Sequence, residues 1–243
     1  MDTKFLTVGV NGLSVEFGND ISIETNNKVS AFRKVLQEYP IDGIVETIQT
    51  YRSIMIFYEP EVVRYHELVG ACKACLGKME ATTDTTPMMT VCEVPVLYGG
   101  ECGIDLDEVA KFHNKTPEEI IDIHSSNYAL IYMFGFLPGM GYFGSNNGLT
   151  MPRRSSPRLK IEGGSIIIWN DQTIILPNTS PTGWNVIGHT PIKIFDFNSE
   201  NPFLLKVGWW IKFVPVTQKR YDEIKAQVES GKYQLNIYEE EMQ

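Results

Sequence analysis

Three of the chain's seven arginines, Arg153, Arg154 and Arg158, fall within six residues of one another in a protein of formal charge -9. Just before them, Gly135, Gly139, Gly141, Gly144 and Gly148 put five glycines into fourteen residues, with Pro138, Phe136, Tyr142 and Phe143 between them. Arginine offers parallel N–H donors that match a carboxylate or a phosphate. Glycine lets backbone approach a ligand closely because no Cβ intervenes. The combination describes an oxyanion pocket in a loop, with Gly139 and Tyr142 beside the guanidinium groups. The same spacing also suits a tight turn next to a solvated basic patch.

Such a loop needs a rigid frame. From Tyr128 to Val214 the chain reads as short apolar strands (ALIYMFGF, SIIIW, QTIILP, NVIGHTPIKIF, FLLKVGWWIKFVP) broken by Gly, Pro, Asn and Ser. Strands this close together, with few helices, predict a closed β-barrel. Two short helices precede it, each with a possible capping box: Asp105 with Glu108, and Thr116 with Glu119 behind Pro117. Asn114 is placed to end the first of them. Gln218 to Glu229 predicts a last amphipathic helix, and YEEEMQ a solvated acidic tail.

The N-terminal part is a separate pattern. Residues 4–17 alternate around Asn11-Gly12, the strongest two-residue hairpin signal. Ile21 and Ile23 extend it. Asn26 to Gln37 reads as a helix, Ile44 to Gln49 and Ser53 to Tyr58 as strands, and Pro60 to Leu76 as a second helix. The expectation is an α+β protein: a small α+β sandwich over 1–80, a linker over 81–90, a barrel domain over 91–215, and a C-terminal helix with acidic tail over 216–243.

Composition narrows the function classes. A pI near 5.0 argues against nucleic acid, which needs a basic face. A local basic patch on an acidic body suits a small anion better than a polyanion. The N-terminus lacks the look of a secretory leader and no window approaches a membrane span, so the expected location is cytoplasmic, away from membrane. Cys72 and Cys75 form a C-x-x-C late in a helix, not at a helix start where a redox pair belongs, and Cys92 and Cys102 lack zinc spacing. No metal site is expected.

Tyr98-Gly-Gly-Glu101, Asp105, His124-Ser125, Gly135-Phe-Leu-Pro-Gly139, Tyr142, Pro152-Arg-Arg154, Pro157-Arg158, Gly164-Ser165, Gln172-Thr173, Ser180-Pro181, Gly183-Trp184, Ile187-Gly188 and Thr190-Pro191 together carry a resemblance. In their order and spacing the chain resembles the B-subunit family of ATP-dependent 5-oxoprolinases. Relatives have been called allophanate hydrolase subunit 1 and the sporulation-kinase inhibitor KipI. The resemblance implies a cyclophilin-like barrel behind an α+β domain. It also implies work beside separate A and C subunits, which open 5-oxoproline to glutamate at the expense of ATP. B and C together look like the carboxyltransferase domain of urea carboxylase split into two chains. ATP would then enter through the partner complex, since this sequence has no G-x-x-x-x-G-K-[ST] loop and no biotinyl-lysine signature.

Roles follow from the resemblance. Arg154 and Arg158 hold a substrate anion; Arg153 either joins them in binding it or faces solvent, since adjacent strand residues point to opposite faces. His124, at a helix C-terminus whose dipole favours its protonated ring, either moves a proton or caps the last carbonyls. Gln172 donates to a lactam oxygen or satisfies its strand. Tyr142 and Trp184 stack on substrate or pack the barrel. His189 replaces the family's usual arginine with a titratable group, Thr182 replaces a glycine, Ile174 and Leu176 stand for Gly and Tyr, and Met140-Gly141 for Phe-Pro. Three function classes remain: a non-autonomous subunit in amide or lactam hydrolysis, which is favoured; a KipI-like inhibitor docking on a histidine kinase; and a prolyl isomerase, suggested by fold alone.

Overall fold

The structure is a computed structural model describing residues 3–79, 88–144 and 148–241. It divides into two compact units, 1–86 and 87–243.

In the first unit, β1 (Lys4–Val8), β2 (Gly12–Glu16), β3 (Ile44–Gln49) and β4 (Ser53–Tyr58) form an antiparallel sheet in the order β1-β2-β4-β3. Helices α1 (Ile23–Glu38) and α2 (Tyr65–Met79) cover one face. Val29, Phe32, Val35 and Leu36 of α1 face the core, as their spacing predicts. They meet Leu13, Val15, Ile54 and Ile56 from the sheet and Leu68, Cys72 and Cys75 from α2. The two cysteines are packing groups, and burial pushes the Cys72 thiol up to about 12.

Local details depart from expectation. Val8 pairs with Gly12, so the hairpin loop is Gly9-Val10-Asn11, with Gly9 at a positive φ of 58°; Asn11-Gly12 is not a two-residue turn. Ile23 belongs to α1, because the Ser22 hydroxyl accepts from the Thr25 amide and starts the helix earlier than predicted. Pro60 opens a turn, not α2. The Glu67 carboxylate accepts from the Arg64 amide and sets the helix start at Tyr65.

The second unit begins with β5 (Met88–Tyr98), so residues 88–90 of the expected linker are strand; residues 80–87, which hold the rest of it, lie outside the described residues. Helices α3 (Leu106–Phe112) and α4 (Pro117–Ser126) follow. Thr116 and Glu119 form the full capping box at α4. Asn114 sits at φ 53° just past α3. Asp105 makes no side-chain cap to α3; its carboxylate is used elsewhere.

The remaining strands are β6 (Tyr128–Phe134), β7 (Gly141–Phe143), β8 (Arg158–Ile161), β9 (Ser165–Trp169), β10 (Gln172–Ile175), β11 (Ser180–Thr182), β12 (Asn185–His189) and β13 (Trp210–Pro215), then α5 (Gln218–Glu229) and β14 (Ile237–Glu241). Six of them close a barrel with β5, in the order β12-β9-β10-β7-β6-β13-β5, with β5 pairing back to β12. Strand alternation splits the apolar side chains. Ile166, Ile168, Ile175, Ile187, Phe143 and Phe213 form the principal core with α3 and α4, while Ile167, Ile174, Leu176, Trp184 and Val186 form a second cluster on the outer face. The separate β8–β11 ribbon borders that outer cluster through Ile161. The acidic end is not a solvated tail: β14 pairs antiparallel with β5, and Glu240 accepts from the Tyr128 hydroxyl at 2.7 Å.

Candidate functional site

Arg153 and Arg154 lie on a strap between Met151 and β8, and Arg158 is the first residue of β8. The strap backbone is pinned on both sides of Arg153. Asn185 Nδ2 donates to the Pro152 carbonyl at 2.9 Å, and the Arg154 amide donates to the Gly183 carbonyl at 2.8 Å. In extended backbone, neighbouring side chains then leave in opposite directions.

Arg154 and Arg158 hold an anion, as their chemistry predicts, but it is Asp105. Arg158 donates from Nη1 to Asp105 Oδ2 (2.7 Å) and from Nη2 to Oδ1 (2.6 Å). Arg154 Nη1 donates to the same Oδ1 at 2.8 Å and to Glu108 Oε2 at 2.9 Å. The Val186 amide donates to Asp105 Oδ2 at 2.8 Å. Asp105 is 1% exposed, so its carboxylate takes four donors away from water, while the Arg154 and Arg158 side chains remain partly exposed. The expectation that these two arginines await a substrate therefore changes: their charge is already answered inside the fold.

Arg153 goes the other way. Its guanidinium lies 5.5 Å over the Trp169 ring, stretched across Gly183, where an added Cβ would sit 3.5 Å from Arg153 Nε. Among the described residues no carboxylate pairs with it. It lines a cleft of about 340 Å³ on the outer barrel face, floored by Ile167, Ile174, Leu176 and Trp184 and edged by Tyr142, Ser180 and Thr182. Trp169 and Trp184 are 5.3 Å apart, ring to ring. Phe136, at φ 65° and 84% exposed, also borders the cleft. A cation on an apolar, aromatic wall suits a small organic anion with a flat body.

Of the other expected residues, Tyr142 and Trp184 line this cleft, while His124, Gln172, Gly139 and His189 do not. His124 is buried inside the barrel unit: its Nδ1 is 2.7 Å from the Tyr98 hydroxyl, its Nε2 3.1 Å from Thr173 Oγ1, and its ring 4.5 Å from that of Phe213. Burial drives its pKa from 6.5 down to about 3, so desolvation overrides the helix dipole and the ring is neutral. Neither ring nitrogen caps a helix carbonyl. Gln172 pairs with Trp169 across the β9–β10 hairpin and does not line the cleft. Gly139 is required by its own φ of 78° and by Phe195, whose Cβ would lie 2.6 Å from an added Cβ. That is packing, not a ligand approach.

His189 belongs to a second cleft, of about 530 Å³, between the 162–164, 177–179 and 189–198 loops. Its Nε2 donates to the Gly163 carbonyl at 2.9 Å, which leaves Nδ1 to accept from the Tyr221 hydroxyl at 2.8 Å. Burial lowers its pKa, and the tautomer set by these two bonds is the neutral one.

Asp105, Asn185 and Trp169 are the site residues that sequence reasoning missed. Asp105 carries the local signature of a helix cap, and only the count of nearby arginines hinted at another role. Among the described residues no group of three or more His, Cys, Asp or Glu side chains could hold a metal ion, and no helix is long and apolar enough to cross a membrane.

The barrel, its α+β companion and the matched region define a carboxyltransferase-domain protein. The model of the family "Carboxyltransferase domain, subdomain C and D" matches residues 3–205, and the chain belongs to this family. It is 35% identical over 229 residues to the 5-oxoprolinase B subunit of Bacillus subtilis (strain 168), covering 90% of this chain and 95% of that protein. It is 37% identical over 194 residues to the 5-oxoprolinase B subunit of Haemophilus influenzae, covering 79% and 88%. The crystal structure of Kluyveromyces lactis urea carboxylase matches 98% of this chain with a TM-score of 0.78 at 16% identity, a likeness of fold alone. This chain spans 24% of that one.

Proposed function

We propose that this chain is the B component of an ATP-dependent 5-oxoprolinase, which with partner A and C subunits converts 5-oxo-L-proline to L-glutamate. The observation that carries the reading is 35% identity across 95% of the Bacillus subtilis protein. A B subunit belongs to a multi-subunit assembly; the A and C subunits are its proposed other parts here, with ATP consumed on the partner side.

The Arg153 cleft supports the same reading chemically. 5-Oxoproline is a small flat lactam bearing one carboxylate. Arg153 neutralises that carboxylate with a two-pronged bond. Trp169, Trp184 and the isoleucine floor take the ring face and keep water from it. Ser180 and Thr182 lie on the edge where the lactam's polar atoms would find hydroxyl partners. The chain's contribution is to bind and orient, so that ATP-driven ring opening acts on a held substrate.

The test is reconstitution. The chain is purified with its A and C partners, and glutamate release from 5-oxoproline is followed with and without ATP. ATP-dependent release that requires all three chains is expected. An active A and C pair needing no B, or a complete mixture inert toward 5-oxoproline, removes the assignment.

A further inference from the structure

We propose that Asp105 is the positioning residue of the Arg153 cleft. This rests on reading that cleft as the ligand site. Asp105 touches nothing in the cleft, but it controls which arginine reaches it.

The strap and the start of β8 carry three identical charges that a ligand carboxylate could attract. Asp105 removes two from competition by gathering Arg154 and Arg158 onto one buried carboxylate. It also fixes the strap in place. Its own amide donates to the Val186 carbonyl at 2.9 Å while its carboxylate accepts from the Val186 amide, so it is locked to β12 at both ends. Arg154 and Arg158 then tie the strap to that anchor on either side of the Ser155-Ser156 bend. With Arg154 drawn toward Asp105, strand alternation leaves Arg153 one direction, across Gly183 to Trp169. The pair of bonds at Pro152 and Gly183 completes the hold.

An asparagine at 105 keeps the shape and reverses part of the chemistry. Its amide nitrogen would face a guanidinium or a backbone N–H, donor against donor. The strap is then released, and Arg153 leaves Trp169.

A spectroscopic readout tests this on the chain alone. The Nε–Hε resonance of Arg153, to be identified by its loss in Arg153→Lys, is expected to be shielded by the indole face beneath it and to move back in Trp169→Leu. In Asp105→Asn that shielding is expected to fall by more than half, with the remaining arginine and amide spectrum still that of a folded barrel. Arg158→Lys, which keeps the charge and loses the two-pronged grip, is the second variant if Asp105→Asn fails to fold, and it should weaken the shielding in the same direction. Unchanged Arg153 shielding in a folded Asp105→Asn chain, or in Arg158→Lys where that chain does not fold, overturns the proposal.

Kinetics of the assembled complex add a second arm. Asp105→Asn should raise KM for 5-oxoproline about tenfold at similar kcat, and add nothing further in an Arg153→Ala background. Independent, multiplying effects would contradict action through Arg153. A wild-type complex inert toward 5-oxoproline would defeat the functional reading, while the resonance of Arg153 still decides the role of Asp105.

Discussion

Arg158 grips Asp105 with both terminal nitrogens, at 2.7 and 2.6 Å, across 53 residues of sequence. This contact joins the β8 end of the strap to the start of α3 and to β12. Because Asp105 is buried, losing Arg158 removes two of its four donors, one from each oxygen, although Arg154 still serves Oδ1 and Val186 still serves Oδ2. Arg158→Ala should lower stability by about 1–3 kcal/mol. Chemical denaturation of the purified chain checks this. A midpoint equal to that of the native chain would mean that the pair contributes nothing net.

Gly139 offers a stricter test of packing against ligand approach. Its φ of 78° and the Phe195 Cβ both oppose a side chain. Gly139→Ala should cost about 1–3 kcal/mol. Adding Phe195→Gly, which removes the obstructing Cβ as well as the ring, relieves the steric part, so the double variant should lose less than the sum of the two single losses, seen in thermal melts. Strict additivity would show that Phe195 is not the obstacle.

His124 gives the fold a dependence on acid. Its folded pKa, near 3, lies below its ordinary 6.5, so the unfolded chain binds a proton that the folded chain refuses. The stabilisation is complete above about pH 6.5 and falls by about 1.4 kcal/mol per pH unit as pH drops toward the folded value. In His124→Gln this component should vanish, leaving a flatter stability profile between about pH 6 and 4. Urea midpoints for both proteins across that range settle it. Parallel profiles would mean that the fold does not lower the His124 pKa.

Thr116 and Glu119 were readable as a cap because both partners lie within one helical turn. The barrel wall was readable because Ile166, Ile167 and Ile168 lie in a run of short apolar strands between turn residues, and their alternation divides them between two faces. Asp105 was not, since the same residue type at the same place serves a helix start or a distant guanidinium, and the choice depends on tertiary contacts. His124 misled for a related reason. A helix dipole is a local property, but desolvation by Tyr98, Thr173 and Phe213 arrives from three other strands. The acidic end looked solvated because its charges mask an alternation whose partner, β5, lies about 145 residues away. As for the arginines, their cluster could not say which anion each one meets: Arg154 and Arg158 meet Asp105, a partner 49 and 53 residues away.

Arg153, and neither Arg154 nor Arg158, is the residue proposed to present the cation to the ligand. The most direct measurement is steady-state kinetics of the assembled complex carrying Arg153→Ala, with 5-oxoproline as the varied substrate, beside a thermal melt of the same variant. KM is expected to rise at least about tenfold while the melting midpoint stays within about a degree of native, because a charge-assisted bond to ligand is lost and the exposed side chain supports no core. Native KM and kcat in a folded Arg153→Ala complex would contradict it.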